Sequence, residues 1–113
     1  MYKLEAIVRP ERLDEVKNAL TEAGYHGMNI QHVTGRGIQR GIVHQGRGGE
    51  SYTVDMLPKV KIEVVVSDEA AEKVVKIVAD AARTNNIGDG KIFLIPVADA
   101  IRVRTGERGD AAL

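Results

Sequence analysis

Tyr2, Leu4, Ala6 and Val8 alternate with Lys3, Glu5 and Arg9, the period of a strand with one buried face, and Pro10 ends the run. Leu13, Val16, Leu20 and Ala23 then recur at helical spacing, with Gly24 placed for a helix C-cap. Gly27 to Thr34 reads as a second strand, its alternation blurred at Gln31-His32-Val33. After Pro58, Val60, Ile62, Val64 and Val66 alternate with Lys59, Lys61 and Glu63, a third strand. Ser67 or Asp68 is placed to cap a helix whose apolar stripe is Ala71, Val74, Val75, Val78, Ala81 and Ala82 and which runs out near Thr84. Ile92-Phe93-Leu94-Ile95 forms a fourth strand that Pro96 stops. Ile101 and Val103 alternate with Arg102 and Arg104 in a short fifth strand or extended tail, and Gly106 to Leu113 is polar and expected to fray.

Between the second and third strands the pattern dissolves. Gly35, Gly37, Gly41, Gly46, Gly48 and Gly49 place half of the twelve glycines in one stretch, so a long mobile loop is expected over about 36–55. Loops of that length in a compact domain are uncommon and usually functional or disordered. The order βαββαβ predicts an α+β, ferredoxin-like fold over residues 1–113, with two helices on one face of an antiparallel sheet. The fourth strand is apolar on both faces, Ile92 and Leu94 on one, Phe93 and Ile95 on the other. Two helices cover only one face, so a second copy of the chain is expected to bury the other.

Composition narrows the partners. Sixteen basic and sixteen acidic residues cancel, leaving no global field to draw in nucleic acid or an anionic membrane. Three Tyr, one Phe and no Trp give no platform for stacking bases. Cysteine is absent, which rules out disulfides and thiol chemistry. The charged start Met1-Tyr2-Lys3-Leu4-Glu5 lacks the apolar centre of a signal peptide, and no apolar run reaches about 18 residues. A soluble, cytoplasmic protein without a membrane span is expected.

Candidate chemistry centres on Thr84-Asn85-Asn86-Ile87-Gly88-Asp89-Gly90-Lys91-Ile92-Phe93. Glycines let consecutive N–H groups converge on an anion, and Lys91 supplies charge, so the loop over 84–91 has the makings of a phosphate cradle. Gly-Asp-Gly is equally an ordinary tight turn, in which Asp89 holds its own backbone. Lys59, Arg102 and Arg104 are further cations beside element ends, and Gly35 and Gly37 further bare backbone. His26, His32 and His44 show no metal-ligand spacing, and nothing pairs a nucleophile with a base, so no enzyme is expected.

The string Thr84 to Phe93 resembles the carboxy-terminal signature of the PII signal-transduction proteins of the GlnB/GlnK type. The likeness extends through Pro10, Gly24, Gly27-Met28, Gly35 to Gly41, Leu57 to Glu63 and Ile101 to Glu107. The resemblance implies a trimer that binds ATP or ADP in the clefts between subunits and acts in nitrogen and carbon signalling. It assigns Gly88, Asp89, Gly90 and Lys91 to the phosphates from one subunit, and Arg102 and Arg104 from its neighbour. It adds the backbone of Gly35 and Gly37, with Glu63 and Val65 flanking the adenine. It makes Gln39 the ligand of a Mg²⁺ that bridges ATP to 2-oxoglutarate, with Lys59 on the 2-oxoglutarate carboxylate and Gly41 beside it. An amide oxygen suits that hard cation. Arg47 matches the loop-tip residue by which relatives plug an ammonium transporter, with glutamine synthetase another target the resemblance suggests.

Several positions depart from the pattern. Ile38 stands where an arginine commonly reaches phosphate, Asn29 where a threonine often meets the adenine, and Arg40 replaces a lysine. The loop reads Gly46-Arg47-Gly48-Gly49-Glu50-Ser51-Tyr52 in place of Tyr-Arg-Gly-Ala-Glu-Tyr, so Tyr52 is shifted against the uridylylated tyrosine and Ser51 falls at its place. Either is a candidate modification site, and regulation by ligands alone is the other reading. The departures also leave open a paralogue that senses only adenylates and controls a different transporter or enzyme.

Overall fold

The computed structural model describes residues 1–36 and 56–113, together with the backbone of 43–45 and 51–53. The elements in order are β1 (Tyr2–Val8), α1 (Leu13–Glu22), β2 (Asn29–Arg36), β3 (Val43–Gln45), β4 (Ser51–Thr53), β5 (Met56–Val66), α2 (Ala71–Ala82) and β6 (Gly90–Pro96). Four strands form an antiparallel sheet in the order β2-β5-β1-β6, and both helices lie on one face, the expected ferredoxin-like plan. Register explains the core. Leu4, Ala6 and Val8 pair with Val64, Ile62 and Val60 on one side and with Leu94, Ile92 and Gly90 on the other, so one parity of β1, β5 and β6 faces the helices. Against it pack Val16 and Leu20 of α1 and Ala71, Val74, Val78 and Ala82 of α2, all buried. Arg12, ahead of α1, donates to the Ala81 carbonyl through Nε at 3.0 Å and Nη2 at 2.7 Å, joining the start of one helix to the last turn of the other.

The opposite parity carries Lys3, Glu5, Ile7, Lys61, Glu63, Val65, Lys91, Phe93 and Ile95. Lys61 lies 3.4 Å from Glu5 and 3.9 Å from Glu63, and Lys3 lies 3.9 Å from Glu63, a ladder of alternating charge across β1 and β5. Beside it Phe93 is 45% and Ile95 37% exposed, so β6 is apolar on both faces, as its sequence indicates.

Four expectations are corrected. Regular structure does not wait for Pro58: β5 starts at Met56 and pairs with β2 through Arg36↔Met56, and Pro58 is tolerated because it lies beyond the Val8↔Val60 rung, where β5 has no partner on its β1 side. The glycine-rich stretch contains a short ladder, Val43–Gln45 against Ser51–Thr53, built from two triplets that lack glycine. Neither Ser67 nor Asp68 caps α2 with its side chain; a 3-10 turn over Asp68–Ala70 leads in, and the Asp68 carboxylate accepts from the Met1 ammonium. The tail is neither a fifth strand nor frayed. An isolated bridge joins Ile101 to Arg108, and the turn between is closed by Arg102 N–H on Glu107 O at 2.9 Å and Gly106 N–H on Arg102 O at 2.8 Å. Among the described residues no helix is long and apolar enough to cross a membrane.

Candidate functional site

Most of the predicted site residues that are described lie at one or the other of two opposite ends of the sheet. At one end β6 begins, with Gly90 opposite Val8, and β5 carries Lys59 one residue beyond Val60. At the other end Tyr2, Val66 and Pro96 form the last rung, and the chain passes on to Arg102 and Arg104. Seven residues of β6 separate the two ends, about 20 Å at roughly 3.3 Å per residue.

At the first end the loop over 84–91 is shaped by backbone that few residues adopt: Asn85 has φ 67°, Gly88 101° and Gly90 113°. Asp89 organises it. Its carboxylate accepts from Thr84 N–H at 2.7 Å, Asn85 N–H at 2.9 Å, the Thr84 hydroxyl, and Arg9 Nε at 3.0 Å. The turn-holding reading of Asp89 is therefore the one realised. Lys59, distant in sequence, crosses to the same loop and donates to Gly88 O at 2.6 Å. Its stem lies on Gly35, where an added β-carbon would come 2.8 Å from Lys59 Cγ. Burial, and then the neighbouring Arg9, lower the Lys59 ammonium from its ordinary range, with Glu11 and Asp89 acting against them. Lys91 is exposed on the charged face opposite Ile7, and it borders a cleft of about 240 Å³ with Ala82, Arg83 and Asp89.

Burial alone would raise the Asp89 carboxyl; the bonds from Thr84, Arg9 and Asn85 outweigh it and hold the group far below the usual carboxylate range. A depressed folded-state pKa gives stability that is complete above the unfolded value, about 3.9, and is lost as pH falls toward the folded one. The melting temperature should therefore drop on acidification below about pH 4. In Asp89→Asn it should start lower at neutral pH and fall less steeply; equal slopes for the two proteins would remove Asp89 from this linkage.

At the second end another aspartate collects donors. Asp99 accepts from Gly109 N–H at 3.0 Å, Ala100 N–H at 2.8 Å and Arg108 Nη1 at 3.0 Å, which hold its carboxyl below the usual range against the effect of burial and tie down the tail. Arg102 reaches Glu107 at 3.5 Å and Leu113 O at 3.3 Å, whereas Arg104 lies exposed on the turn. β2 begins at Asn29, opposite Glu63, so β5 runs from Val64 to Val66 with no ladder partner on that side. A groove of about 490 Å³ opens there, lined by Gly24 to Gly27, Val65, Ser67 and the tail residues Asp110 and Leu113.

Thus Gly35, Lys59, Gly88, Asp89, Gly90 and Lys91 are brought together, Val65, Arg102 and Arg104 belong to the far end, and Glu63 lies mid-strand between them. Gly37, Gln39, Gly41 and Arg47, and the departures Ile38 and Arg40, lie outside the described residues, as do the side chains of Ser51 and Tyr52. Sequence reasoning missed Arg9 and gave Thr84 no role. The only local signal for Arg9 was its place on the polar parity of β1, just ahead of Pro10.

The family model described as Nitrogen regulatory protein P-II matches residues 1–107. The chain belongs to this family. Nitrogen regulatory protein P-II 2 of Methanothermobacter thermautotrophicus is 51% identical over 113 residues, all of this chain and 97% of the relative. The P-II of Azospirillum brasilense is 50% identical over the full length of both chains. Among solved structures, Arabidopsis thaliana PII bound to citrate superposes with a TM-score of 0.80 at 43% identity, covering 99% of this chain and 91% of that one. The family match thus covers nearly all of the chain.

Proposed function

We propose that this P-II family member is a cytoplasmic, homotrimeric sensor that binds ATP or ADP in the clefts between protomers. With Mg-ATP in place it takes 2-oxoglutarate, and the ligand state sets the conformation of the stretch over about 36–55, which docks on a target. Candidate targets are an ammonium transporter or glutamine synthetase, with Arg47 at the contact and Tyr52 or Ser51 as sites of modification. The observation that carries the reading is the division of the anion-binding groups between the two ends of one sheet. A single protomer cannot close Lys91 and Arg104 on one triphosphate about 20 Å away along β6, whereas head-to-tail contacts between copies close into a ring and bring the ends together. Glycine N–H groups, Lys91, Arg102 and Arg104 then hold the phosphates, and the groove beside Val65 takes the adenine, with Glu63 next to it.

The donor set fits the remaining ligands. Gln39 would hold Mg²⁺ through its amide oxygen, leaning on phosphate oxygens for the rest of the shell, and the cation would neutralise charge between ATP and the effector. Lys59 already lies at the glycine loop and would turn to the effector carboxylate, with Gly41 beside it. A related protein with citrate bound supports an acidic effector. A ligand moves the loop only by its differential affinity for the loop's conformers.

Calorimetric titrations with ATP and ADP, each with and without Mg²⁺ and 2-oxoglutarate, test the reading. ATP and ADP should both bind, and 2-oxoglutarate only with Mg-ATP; Gln39→Glu should lose 2-oxoglutarate while keeping ATP. Retained 2-oxoglutarate binding in that variant would take the magnesium role from Gln39. Ile38 and the altered loop sequence favour a second reading, an adenylate-only sensor with a different target, for which 2-oxoglutarate gives no heat under any condition.

A further inference from the structure

Arg9 is the one cation at the glycine-loop end whose described bonds both point into the loop itself. It leaves β1 ahead of Pro10 and is only 15% exposed, too buried to be an idle surface charge. Nε donates to Asp89 Oδ1 at 3.0 Å and Nη2 to Ile87 O at 2.7 Å. The guanidinium therefore grips the loop at two points on either side of Gly88, with the directionality of a planar fork that an ammonium lacks. Asp89 passes the constraint on, since the same carboxylate receives Thr84 and Asn85 N–H. A segment with two positive-φ glycines has many turns open to it, and its N–H groups converge on an anion only in some of them.

We propose that Arg9 is the positioning residue of the phosphate cradle, acting through Asp89 and Ile87 to select the loop conformation that an anionic ligand meets. The proposal rests on the nucleotide reading for its consequence but not for its geometry. Lys59 and Lys91 supply charge to the ligand; Arg9 supplies shape. Glu11, Lys59, Arg83 and Lys91 are charged groups near this ion pair, and the guanidinium keeps its bond to Asp89 among them.

A double-mutant cycle on the full chain decides it, using Arg9→Met, Asp89→Asn and the combination, with Arg9→Lys as the conservative variant. Two readouts are taken: amide hydrogen exchange at Thr84 and Asn85 without ligand, and ATP affinity. In Arg9→Met the exchange should quicken about tenfold or more while core strands keep their protection. ATP affinity should fall about tenfold, the double variant should be no worse than either single one, and Arg9→Lys should recover part of both effects. Unchanged exchange in the unliganded Arg9→Met protein overturns the clamp. So do losses of ATP affinity that multiply in the double variant, because Arg9 would then act on the ligand directly. Absence of ATP binding in the unmodified protein sinks the nucleotide reading instead, and the exchange data still decide the clamp.

Discussion

Lys91→Ala and Arg104→Ala, each expected to lose ATP on its own, should regain it when the two variants are unfolded together and reassembled. Each substitution removes a charge-assisted hydrogen bond of about 1.5–3 kcal/mol, or roughly ten- to hundredfold in affinity. The defects lie at opposite ends of the protomer, one where β6 starts and the other past its end. In a head-to-tail ring every cleft takes its glycine loop from one chain and its arginines from the next. A mixed ring therefore contains one junction where an intact loop meets intact arginines, and that cleft should bind with the unmodified affinity. Calorimetric stoichiometry of the mixture measures it. Failure to recover any tight site, with mixed rings confirmed by native mass spectrometry, would place both groups in the cleft of a single chain.

The largest loss of stability is expected for Gly90→Ala. Gly90 has φ 113°, and a β-carbon there would lie 1.8 Å from the Ile7 carbonyl oxygen, a backbone atom that no rotamer change moves aside. To admit it, β6 must peel from β1 at the Val8↔Gly90 rung, the point from which the loop is hung. A cost of about 3 kcal/mol or more follows, near the upper range for point substitutions. Gly106→Ala makes the control: its φ is 76°, but an added β-carbon meets nothing within 4 Å, so only the conformational term remains, about 1–2 kcal/mol. Urea unfolding of the pair checks this, and equal midpoints for the two variants would contradict the steric argument.

The parts of the fold legible in the sequence are those where one face of an element is buried. β1 and β5 alternate cleanly because each lies between two strands under the helices, while β2 blurs because it is an edge strand whose Gln31 and His32 are both exposed. The ladder of β3 and β4 was hidden because three residues are too few to show a period, and glycines surround them. The glycine loop announced itself by composition, and Lys59 by its place at a strand start. That Lys59 meets Gly88 rests on a contact 29 residues apart in sequence, and the Arg9 contact with Asp89 on one 80 apart; only the sheet register brings them together. The tail was misjudged for a related reason: its order comes from Asp99, whose role depends on Gly109 N–H and Arg108 folding back to it.

β6 also works as a ruler. Because its start carries one half of the proposed cleft and its end leads to the other, its length fixes the spacing that a neighbouring copy has to match. Two added residues would preserve the inward and outward parity of every side chain yet lengthen the strand by about 7 Å. Such a chain could keep its own hydrophobic interior and still be unable to join its neighbours around an unaltered ligand, so drift in strand length would separate one set of subunits from another.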